Sequence, residues 1–99
     1  MTSKNMKLPI ILVSQRVDVI AERSETRDAV DQALLQWIIY TGSMPVPLPN
    51  VLSDEQIDSY IQSINPSGIV LSGGNDLGQY EGRDNTEDQL IKWAKSSQT

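Results

Sequence analysis

The sequence predicts an α/β fold with a mostly parallel sheet, and three observations carry that expectation. Apolar runs without alternation recur at residues 9–14 and 68–72. Such runs suit strands buried on both faces, as in a parallel sheet. Segments with apolar residues every three or four positions lie between and after them, the pattern of half-buried helices. The order is strand, helix, strand, helix, strand, helix, and that alternation builds layered α/β folds.

Each element has a local reason. Pro9 to Ser14 (PIILVS) reads as the first strand, and Gln15 to Ser24, polar and mixed, as the loop leaving it. A helix is expected from Thr26 to Thr41, with Val30, Ala33, Leu34, Trp37 and Ile38 on one stripe and Gly42 in the place of a C-terminal glycine. Trp37 and Trp93 are expected in the core. Pro45 to Pro49 (PVPLP) fits an edge strand, because proline has no N–H for a ladder. Ser53 and Gln56 have the spacing of a capping box. Ile57, Tyr60, Ile61 and Ile64 follow as a second stripe, and Asn65-Pro66 ends that helix. Gly68 to Ser72 (GIVLS) is a third strand. Asn85 or Thr86 is expected to cap a last helix with Leu90, Ile91 and Ala94 on its apolar side.

The 99 residues suffice for one small domain, and neither a repeat nor a linker divides them. Three strands with a buried-type strand at the edge would leave backbone groups unpaired. Further strands are therefore expected after Thr99 or from another chain; the alternative is a complete small domain whose edge is blunted. With 8 basic and 13 acidic residues the net charge is −5, which offers no footprint for a phosphate backbone, so no nucleic-acid partner is expected. No basic cluster or long apolar run suggests a membrane, and the run from Leu8 to Val13 is too short for a signal peptide; a cytoplasmic location is the expectation. The chain has neither Cys nor His, which excludes disulfides, a thiolate nucleophile and an imidazole base within it.

Residues 71–76 (LSGGND) are the sharpest local feature. Ligands in open α/β sheets bind beyond the carboxyl ends of strands. Gly73 and Gly74 permit a tight turn whose N–H groups can cradle an anion or an oxyanion; the alternative is a plain strand-to-loop turn. No Gly-Lys-Ser/Thr follows, so it is not a phosphate loop, and the third glycine of a dinucleotide fingerprint is absent. Asp84 and Glu87, beside Arg83, would favour the positive end of the last helix, with capping and solvated charge as the alternative. Asp28, Asp31 and Gln32 are expected on a solvated side of the first long helix. Gln15 and Arg16 follow the first strand at its ligand end, where Arg16 is suited to hold a carboxylate or phosphate, or else is a surface arginine. No metal-ligand spacing is present.

Taken together, Ser14-Gln-Arg16, Glu25-Thr-Arg-Asp28 with Asp31-Gln32, Gly42 before Pro45-Val-Pro-Leu-Pro-Asn50, residues 68–76 (GIVLSGGND), and Arg83-Asp84 with Glu87 resemble the class I glutamine amidotransferase-like hydrolases. The branch is that of γ-glutamyl-γ-aminobutyrate hydrolase, and within it the chain looks most similar to the γ-glutamyl-CDP-amidate hydrolase type. The resemblance runs from about Leu8 to Trp93. It implies a three-layer αβα, flavodoxin-like domain, incomplete in this chain. It also implies hydrolysis of a γ-glutamyl amide through a cysteine thioester, releasing glutamate. In that family the nucleophile lies in a Gly-x-Cys-x-Gly turn after the next strand, so this chain alone should be inactive.

Carried over residue by residue, Gly73 and Gly74 match the oxyanion loop, and Asn75 and Asp76 match neighbouring pocket positions. Arg83, Asp84 and Glu87 match a motif on the substrate side, and Gln15 and Arg16 match the first sheet-end loop. The implied partner is a small-molecule γ-glutamyl substrate, with no cofactor and no metal; self-association or a completing chain is a further expectation. The alternative reading is a non-catalytic module that binds an anionic small molecule at residues 72–76.

Overall fold

A computed structural model describes residues 7–72 and 81–96. β1 (Ile10–Val13) lies at the centre of a three-stranded parallel sheet of order β4-β1-β5, with β4 at Met44–Pro47 and β5 at Gly68–Val70. A separate antiparallel pair joins β2 (Arg16–Ile20) and β3 (Glu25–Ala29). The helices are α1 (Gln32–Tyr40), α2 (Asp54–Ile64) and α3 (Glu81–Ser96).

The sheet forms as the apolar runs predict. Val46, Leu12 and Ile69 are in register across one face. α2 and α3 cover that face: Leu12, Leu48, Ile57, Ile61 and Leu90 form one buried cluster, with Val46, Ile69 and Trp93 packed against it. Burying each of the larger side chains contributes about 1.5–3 kcal/mol. Ile38 of α1 is also buried but stands outside this cluster. Right-handed crossovers that leave β1 and β4 in opposite directions across a sheet put α1 and α2 on opposite faces.

The helix ends follow their side chains. The Ser53 hydroxyl accepts from the Gln56 N–H while the Gln56 side chain accepts from the Ser53 N–H, completing the expected capping box. Gly42 has φ 91°, and with it the N–H groups of Gly42 and Ser43 close on the carbonyls of Ile39 and Ile38, a Schellman ending for α1. Asn65, with φ 52°, ends α2 before Pro66.

The structure corrects four expectations. Gln15 to Ser24 is not a loop: Arg16–Ile20 is a strand, followed by a 3-10 turn at Ala21–Arg23. The helix expected from Thr26 begins only at Gln32, because β3 pairs with β2 and brings Asp18 opposite Arg27. Asp28 therefore lies in β3, and Asp31 caps α1, its carboxylate accepting from the Ala33 N–H at 2.9 Å. Trp37 is 60% exposed rather than in the core, since α1 buries Ile38 instead. Finally, α3 starts at Glu81, ahead of Asn85 and Thr86, and Ile91 stays exposed while Thr86, Leu90 and Trp93 turn inward. Among the described residues no helix is long and apolar enough to cross a membrane.

Candidate functional site

The order β4-β1-β5 makes β1 the point where successive connections depart to opposite sides. Ligands of open α/β sheets bind at the carboxyl ends of strands beside such a switch point. Ladder bonds carry both flanking segments to the end of β1: the Leu48 N–H donates to the Val13 carbonyl and the Ser14 N–H to the Val70 carbonyl, each at 3.0 Å.

A buried polar network starts there. Ser14 is fully buried, and its hydroxyl donates to Glu87 Oε2 at 2.7 Å. The same hydroxyl accepts from the Ser72 N–H at 2.9 Å, and the Ser72 hydroxyl donates to the Ser14 carbonyl at 2.7 Å. Arg83, 4% exposed, donates through Nη2 to the Ser72 carbonyl and to Glu87 Oε2, the latter at 2.9 Å. The Arg83–Glu87 pair is one helical turn apart on α3. A buried ion pair needs such additional hydrogen bonds to offset its desolvation. Ser14 is not an open nucleophile, because its proton is committed to Glu87 and the residue has no exposed surface.

A second network braces the neighbouring loop. Asn50 donates from its backbone N–H to Asp28 Oδ2 at 3.0 Å and from Nδ2 to Asp28 Oδ1 at 2.8 Å and the Gln15 carbonyl at 3.0 Å. The Gln15 side chain donates to the Leu48 carbonyl at 3.0 Å. The base of the β2–β3 hairpin, the end of β1 and the segment after β4 are thereby tied together. α3 presses on the same place: a Cβ on Gly82 would lie 2.6 Å from the Asn50 carbonyl oxygen.

The sequence-predicted residues divide accordingly. Gln15, Arg83 and Glu87 come together at the carboxyl end of β1. Arg16 is on β2 and pairs with Asp18 at 3.1 Å, both about two-fifths exposed, a pair of the kind that contributes about 0–1 kcal/mol. Asp84 is half-buried on α3. Gly73, Gly74, Asn75 and Asp76 lie outside the described residues. Sequence reasoning missed Ser14, Asp28 and Asn50 as network members. The available signal at Ser14 was a hydroxyl closing an otherwise apolar buried run.

A cleft of about 710 Å³ lies elsewhere, lined by Leu8, Ile10, Met44 and Ile64 together with Lys7, Asn65 and Ser67. These residues sit at the amino-terminal end of the parallel strands and the carboxyl end of α2, opposite the polar networks. Its size is that of a ligand pocket, but the sheet-end rule favours the other end. Compared with known proteins, the chain matches no family model and no curated protein.

Proposed function

We propose that this chain forms the ligand-holding part of a class I glutamine amidotransferase-like hydrolase with a flavodoxin-like sheet, acting on a small-molecule γ-glutamyl amide in the cytoplasm. One observation carries the reading. The resembling segments are remote in sequence, yet Ser14, Gln15, Asp28, Asn50, Ser72, Arg83 and Glu87 gather at one sheet end. The central position of β1 between β4 and β5 supports the same reading, since flavodoxin-like sheets bind at this switch point. In this reading Gly73 and Gly74 donate N–H groups to the oxyanion, Asn75 and Asp76 shape the pocket, and Gln15, Arg16 and Asp84 border the substrate. The 99 residues hold no Cys or His, so the thiolate and its base come from beyond them or from a completing chain.

The test is glutamate release from a panel of γ-glutamyl amides by the product of the native gene. Release that stops on alkylation of a cysteine is expected. A product that releases no glutamate but binds an anionic γ-glutamyl compound would replace this reading with that of a non-catalytic binding module.

A further inference from the structure

We propose that Glu87 and Arg83 are positioning residues that fix the backbone leaving β5, acting through Ser72 rather than on the substrate. The use of that backbone rests on the function proposed above; the contacts do not. Glu87 Oε2 accepts from both the Ser14 hydroxyl (2.7 Å) and Arg83 Nη2 (2.9 Å). A serine hydroxyl has one proton and otherwise accepts. With that proton on Glu87, Ser14 Oγ offers its lone pairs to the Ser72 N–H at 2.9 Å. Glu87 therefore sets the direction of the Ser14 hydroxyl without touching Ser72.

Arg83 holds the other side of the same residue, donating to the Ser72 carbonyl. The Ser72 hydroxyl adds a third anchor at the Ser14 carbonyl. Both backbone groups and the side chain of Ser72 are thus fixed together, and two of the three holders meet at one carboxylate oxygen. Charge-assisted hydrogen bonds of this kind are stronger than neutral ones, and a partly buried network reinforces them. The end of β5 is thereby held in one position without reorganisation, which is what a site built beside it requires.

The test is NMR on the labelled 99-residue chain, comparing wild type with Glu87→Ala, Glu87→Gln and Arg83→Met. Glu87→Ala should speed Ser72 amide exchange by about tenfold, the scale of one lost hydrogen bond. Glu87→Gln keeps an acceptor and should restore most of the protection. Arg83→Met should shift the Ser72 carbonyl resonance and the peptide nitrogen that follows it. A folded Glu87→Ala protein with Ser72 exchange within about twofold of wild type overturns the proposal. Should Glu87→Ala not fold, Ser14→Ala carries the same test, and unaltered Ser72 exchange there overturns it. None of these NMR readouts uses catalysis. Altered Ser72 signals in this chain with no glutamate release by the product of the native gene would sink the hydrolase reading alone, and release by that product with unaltered signals here would sink the positioning role alone.

Discussion

Gly82→Ala sets two effects against each other, and the geometry decides the sign. Alanine is the better helix former, so the change gains at most about 1 kcal/mol in the first turn of α3. The new Cβ would sit 2.6 Å from the Asn50 carbonyl oxygen, well inside van der Waals contact. Asn50 cannot retreat cheaply, because its N–H and Nδ2 are held by Asp28 and the Gln15 carbonyl. Overpacking against a fixed neighbour costs about 1–3 kcal/mol, here toward the upper end. The expected net loss is about 1–2 kcal/mol, which for a domain of this size lowers Tm by roughly 5–15 °C. Urea denaturation measures it, with Asp88→Ala on the exposed side of α3 as a control that should move stability by no more than about 0.5 kcal/mol. A Gly82→Ala protein as stable as wild type, or more so, would refute the close seating of α3 on the Asn50 segment.

Other substitutions probe the rest of the fold by the same assay. Leu90→Ala should cost about 2–5 kcal/mol, because Leu90 is fully buried where α3 meets the α2 side of the sheet. Ser53→Ala removes the α2 capping box and should cost about 1 kcal/mol. Trp37→Gln should stay within about 0.5 kcal/mol of wild type, since the indole is 60% exposed; a loss of several kcal/mol would return Trp37 to the core.

Elements whose pattern is set by burial were legible in the sequence. The unbroken apolar runs of β1 and β5 announce strands covered on both faces, and Ser53 with Gln56 announces the start of α2. The hairpin was not read, although Arg16-Val-Asp-Val-Ile20 carries a period-2 alternation. The segment Glu25–Ala29 lacks such a signal, because its pairing is decided by β2 across the reversal at Ser24, which has φ 51°. The helical stripe drawn through Val30 and Trp37 failed at both ends: β3 and the Asp31 cap delay α1 to Gln32, and α1 turns Ile38 rather than Trp37 inward. At the site, Arg83 and Glu87 were singled out with a role, while Ser14 and Asn50 lay within the resembling segments without one. Their roles depend on partners far away, 73 positions for Ser14 with Glu87, and no local window contains both.

The prolines of β4 have a positional meaning that the sheet order makes plain. Met44 and Leu48 donate their N–H groups toward β1, to the carbonyls of Pro9 and Val13. Parallel ladders alternate, so positions 44, 46 and 48 face β1 and positions 45, 47 and 49 face outward. Each outward position is a proline and has no N–H to offer. The β4 edge is therefore blunted against pairing, the usual protection for an exposed strand. β5 has no such device: among the described residues it pairs with β1 alone, and its sequence is Gly-Ile-Val. A strand that extended this sheet, from whichever chain, would add beside β5. Replacing Pro45 and Pro47 with valine restores two outward donors on β4 without adding charge. The double variant should self-associate with rising concentration, seen as a growing apparent mass in light scattering. A variant whose mass tracks wild type across the same concentrations would show that the prolines do not guard that edge.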